Sequence, residues 1–243
     1  MIDSRILVIT GAGISAESGI PTFRGKDGYW RNRNPAELAT PEAFERDPEV
    51  VWEWYRERRA RIRAAQPNSA HQAISKLAMS CREFLLVTQN VDDLHTRGNS
   101  EQGKISPQQI IKIHGDIFVT RCSVCDSQLP NGADEIGVPR CVSCAGAMRP
   151  GVVWFGEQLD PGNIAAVEKF LAAGTCDYVL VVGTTAVFGY IVDWALHAAG
   201  NKGRIMEVNP AETALSSFAS ELVREPAARA LPRIVESLIG WET

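Results

Sequence analysis

The sequence predicts an α/β protein, a parallel sheet with helices on both faces plus a small module of helices and cysteine pairs. Three observations predict it. Short, apolar, β-branched runs alternate with stretches of helical periodicity, which is the pattern of βαβ units. The first run ends directly in a glycine turn. Two regions, residues 25–66 and 119–151, break the alternation, and the second carries four of the six cysteines. The larger unit is therefore expected over residues 1–24, 67–118 and 152–243, and the smaller one over 25–66 and 119–151.

Taken in order, Ile6-Leu7-Val8-Ile9 marks a strand at 5–10. It leads into Gly11-Ala12-Gly13-Ile14-Ser15-Ala16, which fits the G-x-G-x-x-G/A form of a dinucleotide-binding turn and opens a helix at 14–18. Glycine there tolerates positive φ and has no side chain to hold a phosphate away from the backbone N–H groups. The bland alternative is a tight strand-to-helix turn without a ligand. Dehydrogenases of this Rossmann-like type carry an acidic residue about 20 positions on. Here that region reads Gly28-Tyr29-Trp30-Arg31-Asn32-Arg33, more like a cover over a ligand than a ribose clamp. Asp47-Pro48-Glu49 then starts a helix at 48–65, with Asp as N-cap and Pro in the first turn. A helix follows at 69–80. Strands are expected at 84–88, 110–113, 178–182 and 204–208, with a weaker one at 221–223. Helices are expected at 162–173, 189–199 and 227–239.

Composition bounds the function. The 243 residues suffice for one large domain or one domain with an insert, and 45% apolar residues allow a sizeable core. A net charge of −4 gives no reason to expect direct nucleic-acid binding, and the interleaved Glu53 and Glu57 make the Arg-rich stretch 56–63 a solvated helix. No apolar run reaches the roughly 18 residues of a membrane span. The start, Met1-Ile2-Asp3-Ser4-Arg5, lacks the basic and apolar regions of a signal peptide, so a cytoplasmic protein without a membrane partner is expected. A monomer is expected.

Cys122-Ser123-Val124-Cys125 and Cys141-Val142-Ser143-Cys144 are separated by fifteen residues, the spacing of a zinc ribbon. Two such turns aim four thiolates at one tetrahedral ion, which leaves no open position, so the zinc is structural. The intervening Pro130, Asn131, Gly132, Gly137 and Pro139 cannot build a core, and a metal supplies the order. The alternative, a pair of disulfides, is disfavoured in a reducing compartment. Cys81 and Cys176 lie in apolar surroundings and read as inert thiols.

In a doubly wound sheet the ligand sits at the carboxyl ends of the strands. Those ends carry Gln89-Asn90-Val91-Asp92, His114-Gly115-Asp116, Gly183-Thr184-Thr185 and Asn209-Pro210. Of the four histidines, His71 reads as a capping or packing residue, His95 as a stabiliser of its turn and His197 as a surface residue. His114 alone ends a strand before a glycine, and an imidazole titrates near neutrality, which suits a general base.

These residues carry a resemblance. The glycine turn with Ile20-Pro21-Thr22-Phe23-Arg24, then Thr88-Gln89-Asn90-Val91-Asp92, His114-Gly115, the cysteine pairs, Val153-Trp154-Phe155-Gly156-Glu157, Gly183-Thr184-Thr185 and Val208-Asn209 resemble, in order over nearly the whole chain, the sirtuins of bacterial and archaeal type, which are NAD-dependent protein lysine deacylases. The resemblance implies a Rossmann-like NAD-binding domain with a smaller zinc-bearing module. It implies that Gly11, Ala12, Gly13, Ser15, Thr22, Phe23, Arg24, Tyr29 and Trp30 hold NAD at the first turn and its loop. Gln89, Asn90 and Asp92 would hold the nicotinamide and its ribose; Gly183, Thr184 and Thr185 the phosphates and ribose. Asn209 would hold the adenosine ribose, and Ala227 would lie near the adenine. Val152, Val153, Trp154 and Phe155 would pair with an acylated peptide as an added strand. NAD would be consumed: the acyl-lysine oxygen attacks the ribose carbon as nicotinamide leaves, His114 with Asn90 serves catalysis, and O-acyl-ADP-ribose and free lysine are released.

Tyr55 and Arg58, together with Leu38-Ala39-Thr40-Pro41, resemble the class III members, which remove succinyl, malonyl and glutaryl groups as well as acetyl. A guanidinium grips a carboxylate with two bonds and a phenol adds a third. The alternative for Arg58 is a side chain snorkelling to water from a face shared with Val51, Tyr55 and Ile62. Three departures stand out: Thr185 in place of Ser, the run Val187-Phe188-Gly189-Tyr190 in place of a proline-containing loop, and an insertion at Asn99 to Gln109. The resemblance gives Tyr190 no role. Rival readings are transfer of ADP-ribose to protein or water, a non-catalytic ADP-ribose or acyl-lysine binding module, and a zinc-ribbon nucleic-acid protein, which the charge disfavours.

Overall fold

The computed structural model describes residues 2–22, 34–98, 103–125, 127–130 and 137–240. Strand β1 (Ile2–Thr10) is followed by the short α1 (Gly13–Ala16), α2 (Pro35–Leu38), α3 (Pro41–Arg46) and the long α4 (Pro48–Ala64). Then come α5 (Ser69–Ser80), β2 (Cys81–Thr88), α6 (Leu94–Arg97) and β3 (Ile110–Lys112). The chain next leaves the main sheet through β4 (Gly115–Cys122), β5 (Gln128–Pro130) and β6 (Met148–Val152). It returns through α7 (Pro161–Ala172), β7 (Tyr178–Val182), α8 (Gly189–Ala199), β8 (Arg204–Val208), β9 (Glu221–Val223) and α9 (Ala227–Gly240).

The large sheet is parallel throughout, in the order β3-β2-β1-β7-β8-β9. Strand β1 lies inside it, so both faces of Ile6–Ile9 are covered and the run is apolar at every position rather than alternating. Ile6 and Val8 pack with Ile74, Leu77, Leu231 and Val235 of α5 and α9. Leu7 and Ile9 pack on the other face with Val167, Ile191 and Ala195 of α7 and α8. Each fully buried aliphatic side chain contributes about 1.5–3 kcal/mol. Among the described residues, no helix is long and apolar enough to cross a membrane.

The second sheet is antiparallel, in the order β5-β4-β6. It takes in Gly115–Phe118 and Val152, which the sequence division gave to the larger unit. Helix α4 starts as its sequence signals: the Asp47 carboxylate accepts from the Val50 N–H at 3.1 Å, with Pro48 in the first turn. Its buried face carries Trp52, Trp54, Tyr55 and Ile62, which pack with Ile117 and Trp154. The Trp52 indole donates to the Met148 carbonyl at 2.8 Å. The two excursions from the main sheet are thus packed on each other.

Candidate active site

The parallel register places Thr10 beside Thr88 and Val182, and Val182 beside Val208. The loops that follow these strands are therefore neighbours. Thr184 ties three of them together. Its hydroxyl accepts from the Gln89 amide at 2.9 Å, and its carbonyl accepts from the Asn209 amide at 2.8 Å. Thr184 is buried, whereas the next residue, Thr185, is exposed. Ala227 is buried at the first position of α9.

A second network centres on Ser15. Its hydroxyl accepts from the Asn90 amide at 3.2 Å and donates to Asp92 at 3.0 Å. The other Asp92 oxygen accepts from the Leu94 N–H at 3.0 Å. Burial raises the Asp92 carboxyl above its ordinary value, opposed by Leu94, Ser15 and the charge of Lys112. Lys112, which sequence reasoning missed, donates to the Asp92 carbonyl and pairs with Asp116 at 2.7 Å. Its signal was available as a lysine at a strand end, four residues before an aspartate.

The structure gives the glycine turn a different reason from the one expected. The Gly11 N–H bonds the Val182 carbonyl and the Gly13 N–H bonds the Gly183 carbonyl, so both are used within the protein. A Cβ on Gly11 would meet the Thr184 Cβ at 2.7 Å, and one on Gly13 would meet the Gly183 Cα at 2.7 Å. Close backbone packing requires these glycines whether or not a phosphate is near. Gly183, at φ +61°, is also a glycine by conformation. Thr22 is half-buried. Phe23, Arg24, Tyr29 and Trp30 lie outside the described residues.

His114 sits where the chain passes from β3 to β4, between the two sheets. Its Nδ1 is 3.0 Å from the Gln89 carbonyl and its Nε2 is 2.7 Å from the Tyr190 hydroxyl. Burial pulls its pKa down, and the bond to Gln89 opposes this. His71 is fully buried and forms a capping box with Asn68. Burial brings it down to about 4. His95 packs on His71 and reaches Thr10 at 3.0 Å, so it links strand and turn rather than only bracing its own turn. His197 is exposed. In the insertion, residues 99–102 lie outside the described residues, and Ile105 packs into the main core, away from His114.

On α4, Tyr55 is buried and its hydroxyl accepts from the Trp154 indole at 2.9 Å. The Arg58 guanidinium lies 4.9 Å from the Trp54 ring and 5.6 Å from the Tyr55 ring, and the Asp92 charge reaches it. Arg58 is half-buried; the fully buried arginine is its neighbour Arg59. Arg59 donates to the Ile117 carbonyl at 2.6 Å, the Val119 carbonyl at 3.2 Å and the Thr120 hydroxyl at 3.1 Å. Sequence reasoning missed it; its signal was its place seven residues after Trp52, on the same helix face.

At residues 152–157, Val152 and Trp154 are buried and Phe155 is exposed. The Val153 N–H bonds the His114 carbonyl, the Phe155 N–H bonds the Ala39 carbonyl, and the Trp154 N–H bonds Glu157. Glu157 also takes two bonds from Arg149, whose guanidinium lies 3.3 Å from the Trp154 ring. Burial works to raise the Glu157 carboxyl, but Arg149 and the Trp154 N–H outweigh it and hold it below its ordinary value. Glu157 is therefore a brace for this loop.

The sulfurs of Cys122, Cys125, Cys141 and Cys144 all lie within 4.8 Å of one another. Cys122 and Cys144 are 3.5 Å apart, and Cys125 and Cys141 are 3.7 Å apart. A tetrahedral zinc with Zn–S bonds near 2.3 Å needs sulfurs about 3.8 Å apart. The Val124 and Cys125 N–H groups point at the Cys122 sulfur, at 3.3 and 3.4 Å. Spacing and donor set fit a closed, structural zinc site. All six cysteines are free of disulfides.

The chain is similar to known proteins in both sequence and fold. The model of the Sir2 family matches residues 11–188. A protein of Methylococcus capsulatus named NAD-dependent protein deacylase is 41% identical over 97% of this chain and 93% of its own. A solved Sir2 homologue carrying 2′-O-acetyl ADP ribose superposes with a TM-score of 0.87 at 40% identity, covering 96% of this chain and 91% of that one. A Sir2 homologue solved with NAD gives 0.85 at 41% identity, covering 97% and 91%.

Proposed function

The chain belongs to the Sir2 family, and we propose that, as an NAD-dependent protein deacylase, it acts on lysines whose acyl groups end in a carboxylate. The observation that carries the acyl preference is Arg58. It stands on α4 beside the Tyr55 ring, within reach of the charge of Asp92 in the Gln89–Asp92 loop. Burial lowers its pKa. A carboxylate delivered there is met by two guanidinium donors and by the Tyr55 hydroxyl, which still has its own proton to give. Ala39, whose carbonyl anchors Phe155, keeps the neighbouring wall small.

The strand-end residues fit NAD by their donor set. Amides and hydroxyls at Gln89, Asn90, Thr184, Thr185 and Asn209 suit a carboxamide, two riboses and phosphates. Ser15, Asn90 and Asp92 form one buried network and hold the nicotinamide end; Asn209 and Ala227 lie towards the adenosine end. Bound NAD supplies an electrophilic ribose carbon and a leaving nicotinamide. His114 takes the proton of a ribose hydroxyl at Nε2, the nitrogen that the Gln89 carbonyl leaves without a hydrogen. Asp92 and Asn90 position, and the buried site excludes water from the encounter. The acylated peptide lies along residues 152–155. The zinc keeps β4, β5 and β6 together. Six free cysteines fit a reducing compartment such as the cytoplasm.

The test is kcat/KM on acetyl-, malonyl- and succinyl-lysine peptides with NAD, with O-acyl-ADP-ribose measured as product. A hydrogen bond to a charged group is worth about 1.5–3 kcal/mol, and about 1.4 kcal/mol is tenfold. Arg58→Met should therefore cost succinyl-lysine at least about tenfold and leave acetyl-lysine nearly unchanged. Equal losses on both substrates would refute the acyl assignment. His114→Ala should nearly abolish turnover on all three; full activity would refute its role as base.

A further inference from the structure

Tyr190 is the residue for which the sequence offered no role, and its hydroxyl lies on the side chain assigned as the base. A backbone carbonyl can only accept, so the Gln89 oxygen at 3.0 Å fixes the hydrogen of His114 on Nδ1. Nε2 is then left with one lone pair and no hydrogen. The Tyr190 oxygen at 2.7 Å must donate to it. The phenol keeps its proton at neutral pH, because burial raises it to about 12.

Tyr190 is held in this pose. Its ring stacks on Phe188 at 5.7 Å and 11°, and packs on Trp194 at 5.0 Å. Phe188 in turn meets the His114 ring edge-on at 5.7 Å. The turn that presents both aromatic residues follows Ala186, which sits in the left-handed region at φ +51° and is buried. Among the described residues, no charged side chain bonds this nitrogen. Its strand neighbours Lys112 and Asp116 are paired with each other, and from the Gln89–Asp92 loop only the Gln89 carbonyl bonds the ring. From the 152–155 segment, the Val153 N–H bonds the His114 carbonyl and not its ring.

One lone pair accepts one donor. We propose that Tyr190 is a positioning residue that occupies the lone pair of His114 in the free enzyme and yields it to a hydroxyl of the arriving co-substrate. This rests on His114 being the base. Tyr190 holds the imidazole in the tautomer the reaction needs, and competes with the hydroxyl that must replace it. The proton abstracted passes from that hydroxyl to Nε2; Tyr190 retains its own proton throughout. Its effect belongs to binding of the co-substrate and to the protonation of His114 before binding.

Tyr190→Phe removes only the oxygen and keeps the ring on Phe188 and Trp194, so the variant folds. Two readouts test the proposal. The first is titration of the His114 ring by NMR without NAD, with His114→Asn identifying the resonance. Losing a donor to the neutral imidazole should move its pKa upward by up to about one unit. The second is steady-state kinetics above that pKa, where KM for NAD should fall roughly two- to tenfold, with the gain in KM rather than in kcat. An unmoved titration would overturn the contact, and an unmoved KM would overturn the competition. A collapse of kcat to the level of His114→Ala would also overturn it, making Tyr190 a proton carrier. The NMR titration needs no turnover, so it tests Tyr190 even if the deacylase assay of the parent protein fails.

Discussion

Replacing Arg59 by methionine should destabilise the protein severely, while the same change at Arg58 should not. Arg59 is wholly buried, and its guanidinium serves the Ile117 carbonyl, the Val119 carbonyl and the Thr120 hydroxyl at 2.6, 3.2 and 3.1 Å. Methionine recovers the packing of the side-chain stem beside Trp52 but none of these donors. A hydrogen bond from a charged group is worth about 1.5–3 kcal/mol, and a buried acceptor left without a partner costs about 1–3 kcal/mol. Counting only the two acceptors that are fully buried, at Ile117 and Thr120, the loss is about 3–6 kcal/mol. For a chain of this size each kcal/mol shifts Tm by about 2–4 °C, so the expected drop is on the order of 10 °C. Arg58→Met, one residue away, changes the same atoms at a half-buried position and should shift Tm far less. The assay is thermal unfolding of the zinc-loaded proteins, followed by circular dichroism. A drop of less than about 3 °C for Arg59→Met would refute the reasoning, since it would mean that water replaces the guanidinium at little cost.

Three further outcomes are expected. His71 stays neutral in the folded protein down to about pH 4, whereas in the unfolded chain it takes up a proton near its ordinary 6.5. Stability present above 6.5 is therefore lost as pH falls towards 4, by about 3 kcal/mol from this group alone. Denaturant midpoints at pH 7 and 4.5 should show this loss, and His71→Gln should show less of it. Gly13→Ala would set a methyl 2.7 Å from the Gly183 Cα; overpacking of this kind costs about 1–3 kcal/mol, seen as a Tm several degrees lower. Metal analysis should find one zinc per chain, and Cys122→Ala or Cys144→Ala should lose it together with activity. A zinc-free parent protein with four freely titratable thiols would contradict the metal site.

The main sheet was legible because its strands are short, continuous apolar runs and its helices carry a 3.6-residue period. Each of the strands at 84–88, 178–182, 204–208 and 221–223 lies within an observed strand, and the helices at 48–65, 69–80 and 189–199 end within a residue of the structure. What escaped was the antiparallel sheet. Strands such as Gly115–Cys122 contain Asp116, Thr120 and Arg121, and Met148–Val152 contains Arg149, Pro150 and Gly151, so neither shows the apolar run of a buried strand. These residues are strands because of what packs on them, chiefly Trp52 and Arg59 of α4, from far along the chain. The same holds at the site. Residues at strand ends could be named from the sequence, because topology gathers them. Tyr190 could not, because its meaning lies in a partner far along the chain, His114.

The contact between Gly13 and Gly183 has a bearing on how such chains change over time. Neither position can gain a side chain while the other backbone stays where it is, since each Cβ would fall within 2.8 Å of the opposite glycine. The glycine signature is thus maintained by assembly of the sheet, independently of any ligand. A copy of this gene freed from its catalytic duty would keep its glycines long after losing its chemistry. Asp92 differs, because burial raises its carboxyl and keeping it ionised at neutral pH works against the fold. A chain with Gly11, Gly13 and Gly183 intact and Asp92→Asn should accordingly melt no lower than its parent and turn over far more slowly. The motif that draws the eye marks ancestry, and the residues around it mark whether the enzyme still works.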